Sequence, residues 1–100
     1  MGQCLLVLIV SPAMENTLVD WLLEHEDIPG FTSATVSGHG ASTSSLSAAE
    51  QVTGKQLQVM FKLHLQEGVA RTVIDEVRDA FGGSGIHYWM TPVLASGHLT

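Results

Sequence analysis

The chain contains one cysteine, Cys4, and only four Lys/Arg among its 100 residues. A lone cysteine excludes an intrachain disulfide and suits a reducing compartment, so a cytoplasmic location is expected. Ten acidic residues against four basic ones leave a formal charge of −6. That charge repels phosphate backbones and anionic lipid, and no basic cluster offsets it, so nucleic acid is not an expected partner. Long hydrophobic runs are also missing. The apolar run at residues 5–10 falls far short of the roughly 20 residues that cross a bilayer, and no Lys or Arg precedes it as in a secretory leader. Position 6 is Leu6 where N-myristoylation wants Ser or Thr, so neither a lipid anchor nor direct membrane insertion is expected.

Catalytic spacings are absent as well. Thr43, Ser44, Ser45 and Ser47 have no His and Asp at a recognisable distance, and Glu24, Glu26 and Asp27 read as a solvated helix end, not an acid/base pair. No enzyme is expected. The metal-binding spacings His-x-x-x-His and Cys-x-x-Cys do not occur, so any metal site has to be assembled in three dimensions. Five histidines and four methionines are nonetheless available. His39 and His87 are the candidate ligands for a transition-metal ion, with Met60, Met90 or Cys4 tilting the preference toward cuprous ion. His25, His64 and His98 read as surface groups.

What the chain does have is apolar bulk: 45% hydrophobic and 14% charged residues. A domain this small buries a modest fraction of its surface, so apolar patches and self-association are expected. Residues 4–10 read as a strand covered on both faces. Ser11 and Pro12 suit a helix start, and Met14, Leu18, Trp21 and Leu22 recur at helical spacing to about Glu26. Residues 28–30 stop that helix. A second strand covers about 31–37, and a third, at 56–65, alternates Leu57, Val59, Phe61, Leu63 and Leu65 with polar residues and Met60. A second helix begins near Glu67, with Val69, Val73, Ile74, Val77 and Phe81 on one side and Arg71, Asp75, Arg78 and Asp79 on the other. Gly82-Gly83-Ser84-Gly85 ends it, and residues 86–93 form a fourth strand.

This order predicts one α+β domain over residues 1–100, a ferredoxin-like βαββαβ sandwich with both helices on one face of a four-stranded antiparallel sheet. The other face needs cover, because the fourth strand sets Ile86, Tyr88 and Met90 against His87, Trp89 and Thr91 and neither set is purely polar. Trp21 is expected between helix and sheet, and Trp89 with Tyr88 at a subunit interface. The connection at 38–54 is long for so small a domain. Within it Leu46, Glu50 and Gln51 have the spacing of a helical turn that orders on a partner, with Ser42 at the start of the partner-binding stretch.

Gly30-Phe31-Thr32 followed by Val36-Ser37-Gly38-His39-Gly40 resembles the strand leading into the T-loop of PII signalling proteins. The stretch His87-Tyr88-Trp89-Met90-Thr91-Pro92-Val93 is similar to a PII-like subfamily encoded beside heavy-metal efflux pumps. The resemblance covers nearly the whole chain and implies a homotrimeric regulator whose long loops dock onto a membrane transporter or another protein. It also implies ligand binding at Gly38 and Gly40 and at Gly83, Ser84 and Gly85, where PII proteins hold nucleotide phosphates. The chain departs from the PII pattern in having no Lys or Arg in that second loop, Arg78 being the last basic residue, and in having Ala41-Ser42 where PII proteins carry Arg and Gln. An adenine-nucleotide sensor therefore ranks below two other readings: a regulator of an efflux transporter, and a cytosolic metal-binding protein of the CutA type, a family that shares the trimeric ferredoxin-like design.

Overall fold

The computed structural model describes residues 2–40 and 56–100. Strand β1 (Gln3–Val10) leads through a 3-10 turn (Pro12–Met14) into helix α1 (Glu15–Glu24), followed by β2 (Thr32–Gly38), β3 (Gln56–Gln66), helix α2 (Glu67–Phe81) and β4 (His87–Val93). All strand pairs are antiparallel, and the sheet order is β2-β3-β1-β4. The expected βαββαβ order and four-stranded sheet are therefore present, with strand ends within a residue or so of the positions read from periodicity.

Local chemistry accounts for most boundaries. The start of α1 differs from expectation, because the Ser11 side chain makes no cap. Its carbonyl instead accepts the Met14 N–H at 3.0 Å, and Pro12 begins a 3-10 turn that delivers the chain into α1. Helix α2 follows β3 with no intervening loop, and the Glu67 N–H is satisfied by the Gly2 carbonyl at 3.0 Å. Glu67 sits at the positive end of the α2 dipole and Arg78 at the negative end.

The core lies between the helices and one face of the sheet. Leu6 and Leu8 on β1 stand opposite Leu63 and Phe61 on β3, and Leu18, Leu22, Ala70 and Val73 close over them from the helices. Phe61 is fully buried, as are Leu6, Leu18, Leu22, Leu63, Ala70 and Val73. The buried side chains include no polar or charged residue among those described. β1 is buried on its second face as well, since Val7 and Ile9 are covered although no helix lies there. Val7 is flanked by Lys62 and Trp89, and Ile9 by Met60 and His87, so neighbouring strands shield them.

Two side chains tie the helices together. Trp21 packs edge-on against Phe81 at 6.0 Å between centroids, which sets it between α1 and α2, and it also touches the His25 ring. His25, expected at the surface, has a side chain only 12% exposed. Its Nδ1 accepts the Asp27 N–H at 3.1 Å, so the proton resides on Nε2, which donates to the Glu76 carboxylate at 2.7 Å. The histidine thereby joins the end of α1 to the middle of α2.

Replacing Phe61 with Ala should remove about 3–5 kcal/mol, enough to leave a domain of this size largely unfolded in thermal or urea melts. His25→Ala should cost about 1 kcal/mol, read as a fall in Tm of about 4–8 °C, and Glu76→Gln, which keeps an acceptor, should cost less than Glu76→Ala.

Candidate functional site

A cavity of about 420 Å³ opens between the last turns of α2 and the beginning of β4. Its walls are Leu8 from β1, Ile74, Val77 and Phe81 from α2, and Ile86 before β4, while Arg78, Tyr88 and three glycines of the 82–85 loop complete the lining. The walls come directly from the core pattern: Leu8 and Tyr88 are register partners on the helix side of the sheet, and Ile74, Val77 and Phe81 recur along one stripe of α2. The cavity is mostly apolar, and Arg78 is the only charged side chain among the described residues that line it.

The turn that shapes the mouth depends on glycine. Gly83 and Gly85 have φ of 87° and 79°, left-handed values that disfavour any Cβ. Gly82 has no such angle, but a Cβ there would meet the Arg78 carbonyl oxygen at 2.8 Å. The Ser84 N–H and hydroxyl both donate to the Phe81 carbonyl, at 3.1 and 2.6 Å, closing the helix end.

Arg78 is the residue that reading by sequence neighbours missed. It precedes Gly82 by one helical turn, and the progression Ile74, Arg78, Phe81, Gly82 places it along the stripe facing the loop, although it looks polar-faced beside Asp75 and Asp79. The glycine loop therefore has a cation beside it after all. Its Nη1 donates to Asp75 at 2.9 Å in a pair open to solvent on both sides.

The other candidates are dispersed. Gly38 ends β2 opposite Gln56, its Cα hydrogen directed at the Gln58 side chain, and His39 and Gly40 follow in the open. His87 begins β4, exposed, its ring tilted against Trp89 at 5.7 Å. Because β2 and β4 are opposite edges, His39 and His87 lie three strand spacings apart across the sheet, roughly 14 Å at ~4.8 Å per step, and are also offset along it, since His87 is level with Ala34. Both stand at the end of the sheet where β1 finishes. Among the described residues no group of three or more His, Cys, Asp or Glu is placed to hold a metal ion. Cys4 is buried on the helix side, where burial pushes its thiol pKa up, the Glu67 carboxylate adds to the shift and Arg71 opposes it. Ser42, Leu46, Glu50 and Gln51 lie outside the described residues.

A family model spanning residues 1–100 matches the chain, with the description "Protein of unknown function (DUF3240)". The chain belongs to the DUF3240 family. The crystal structure of a DUF3240 family protein from Shewanella baltica is similar with a TM-score of 0.80 at 20% identity, covering 100% of this chain and 99% of that one. CPII of Thiomonas intermedia, a nitrogen regulatory PII-like protein whose structure holds ADP, AMP and bicarbonate, aligns with a TM-score of 0.71 at 15% identity over 99% of this chain and 98% of CPII. A functionally unknown protein from Pediococcus pentosaceus aligns at 0.68 and 14% identity over 99% of both chains. No curated protein matches. At these identities the similarity establishes the PII-like, ferredoxin-like fold. The four strands and two helices of this DUF3240 chain are thus those of PII-like proteins, and none of its described helices is long and apolar enough to cross a membrane.

Gly83→Ala and Gly85→Ala should each destabilise the protein by about 1–2 kcal/mol in chemical melts, whereas Gly30→Ala, with open space around its Cβ, should be near neutral. The raised Cys4 pKa favours the neutral thiol in the folded state. Its contribution is complete below the ordinary value of 9.0 and lost as pH rises through the higher folded value, so urea midpoints should decline above about pH 9 for the wild type and less so for Cys4→Ala.

Proposed function

We propose that this DUF3240 protein is a non-enzymatic, cytoplasmic, homotrimeric regulator of PII-like type, whose loop at 38–54 acts on a protein partner such as a heavy-metal efflux transporter. The observation that carries it is the sheet face opposite the helices. Leu5, Val7, Ile9, Met60, Val36 and Trp89 share that face, Trp89 remains 40% exposed, and no Asp or Glu occurs on any of the four strands. A face with an apolar centre, bordered by Lys62, His64 and His87 and free of carboxylates, can pack against further copies without burying unpaired negative charge, even though the chain as a whole is strongly acidic.

The connection between β2 and β3 leaves from the end of the sheet at which the 82–85 loop also lies, on the opposite edge. In an assembly of copies around the shared face, one protomer's β2 end and its neighbour's glycine loop are the segments available to form a joint site, which a small ligand then links to the 38–54 loop. CPII, bound to ADP and AMP, is the precedent in this fold for such a ligand. An adenine nucleotide still ranks low here, because a single arginine already paired with an aspartate offers little to a polyphosphate.

A second reading, a metal-binding protein of CutA type, is favoured by the exposure of both His39 and His87 at the same end of the sheet. Within one chain the pair is too far apart to share an ion, so the site would combine His39 of one protomer with His87 of another.

In sedimentation velocity the wild type should run as a trimer and Trp89→Glu as a folded monomer, judged by far-UV circular dichroism; a monomeric wild type would refute the assembly. Titration with zinc, nickel and cuprous ions should show binding lost in both His39→Ala and His87→Ala if the second reading holds, and no heat if it does not. With the efflux transporter present, amide exchange in 38–54 should slow for the trimer.

A further inference from the structure

The cavity beside α2 has an asymmetry that bears on ligand chemistry. Five apolar side chains form its walls, and Arg78, the one charge among the described lining residues, is joined there by Tyr88 and by loop backbone left bare at Gly83 and Gly85. Its size, about 420 Å³, is that of a small-molecule pocket. Arg78 uses one of its five N–H donors, on Asp75, in a pair more than half exposed at both partners, which holds it only weakly. Ligands with several negative charges fit badly, because Asp75 adjoins the lone cation and the chain carries −6 overall. A neutral hydrocarbon would fill the walls and leave the arginine unused.

We infer that this cavity binds a small molecule with an apolar body and a single carboxylate, the body lying among Leu8, Ile74, Phe81 and Ile86 and the carboxylate on the Arg78 guanidinium. The inference deepens the regulator reading, on which it rests for its biological sense, by naming the ligand class: a medium-length aliphatic or aromatic monocarboxylate. A guanidinium pairs with a carboxylate through two parallel hydrogen bonds, and half-shielding by an occupied cavity makes that pairing stronger than the exposed one with Asp75. The neighbouring glycines admit the headgroup because no Cβ projects at Gly83 or Gly85, where a substituent would meet only open space.

The test uses the full-length protein with octanoate, 1-octanol and ATP as probes, followed by calorimetry and by ¹³C-methyl spectra of the four isoleucines, Ile9, Ile28, Ile74 and Ile86. Octanoate is expected to bind with a Kd of roughly 0.1 mM, in line with the affinity that ligands of its size reach. The Ile74 and Ile86 methyl signals should shift while those of Ile9 and Ile28 stay in place. Arg78→Gln should weaken octanoate at least about tenfold and leave octanol unchanged, with Arg78→Lys in between. Ile86→Trp, which fills the cavity and leaves the charge, should abolish both. Absence of octanoate binding, binding unaffected by Arg78→Gln, tighter binding of ATP than of octanoate at this cavity, or shifts at Ile9 instead of Ile74 would each overturn the inference. Sedimentation of the same samples separates the two proposals: a trimer that ignores octanoate sinks the ligand and spares the regulator, and a monomer that binds octanoate does the reverse.

Discussion

The molecule depends on β1. It is hydrogen-bonded on both sides, to β3 and to β4, and apolar on both faces, so it is the one element whose every side chain from Leu6 to Val10 is buried. Its even-numbered residues meet Phe61, Leu63 and the helices and form the core. Its odd-numbered residues form the centre of the opposite face. Hydrophobic burial at about 25 cal/mol per Å² is the main favourable contribution in a chain this short, and β1 supplies both surfaces over which it acts. Remove its apolar continuity and α2 has no floor, while β4 has no neighbour.

The two faces of the sheet then diverge through the placement of charge. Every carboxylate among the described residues is on α1, on α2 or in the turn after α1, and none is on a strand. The acidic, solvated side of the domain is therefore the helical side. The strand side carries Lys62, His64 and His87 around an apolar centre. Among the described residues the negative charge is thus concentrated on the helical side.

The glycine loop shapes the mouth of the cavity beside α2. Its backbone angles at Gly83 and Gly85 end α2 abruptly, and the chain has to cross to the start of β4, leaving a cavity between helix and edge strand. The same crossing brings Arg78 to the mouth. The fold is shared with the Shewanella baltica and Thiomonas intermedia proteins, while in the present chain the cavity beside this loop is lined by one arginine and five apolar walls.

Element order, strand alternation in β3 and the stripe of α2 were all determined by sequence alone, because period-2 and period-3.6 burial leave direct traces in which residues are apolar. The glycine stop after Phe81 was legible for the same local reason. Three things were decided only by tertiary structure. His25 looked like a surface residue because its partner Glu76 is 51 positions away, and only the packing of α1 on α2 brings them together. Arg78 looked remote from the glycine loop because a helical turn is folded distance, not chain distance. His39 and His87 looked like potential neighbours, yet the strand order sets them on opposite edges of the sheet. In each case the missing information was which elements lie side by side, and that follows from burying two helices on one sheet, a requirement of the whole chain that no single segment expresses.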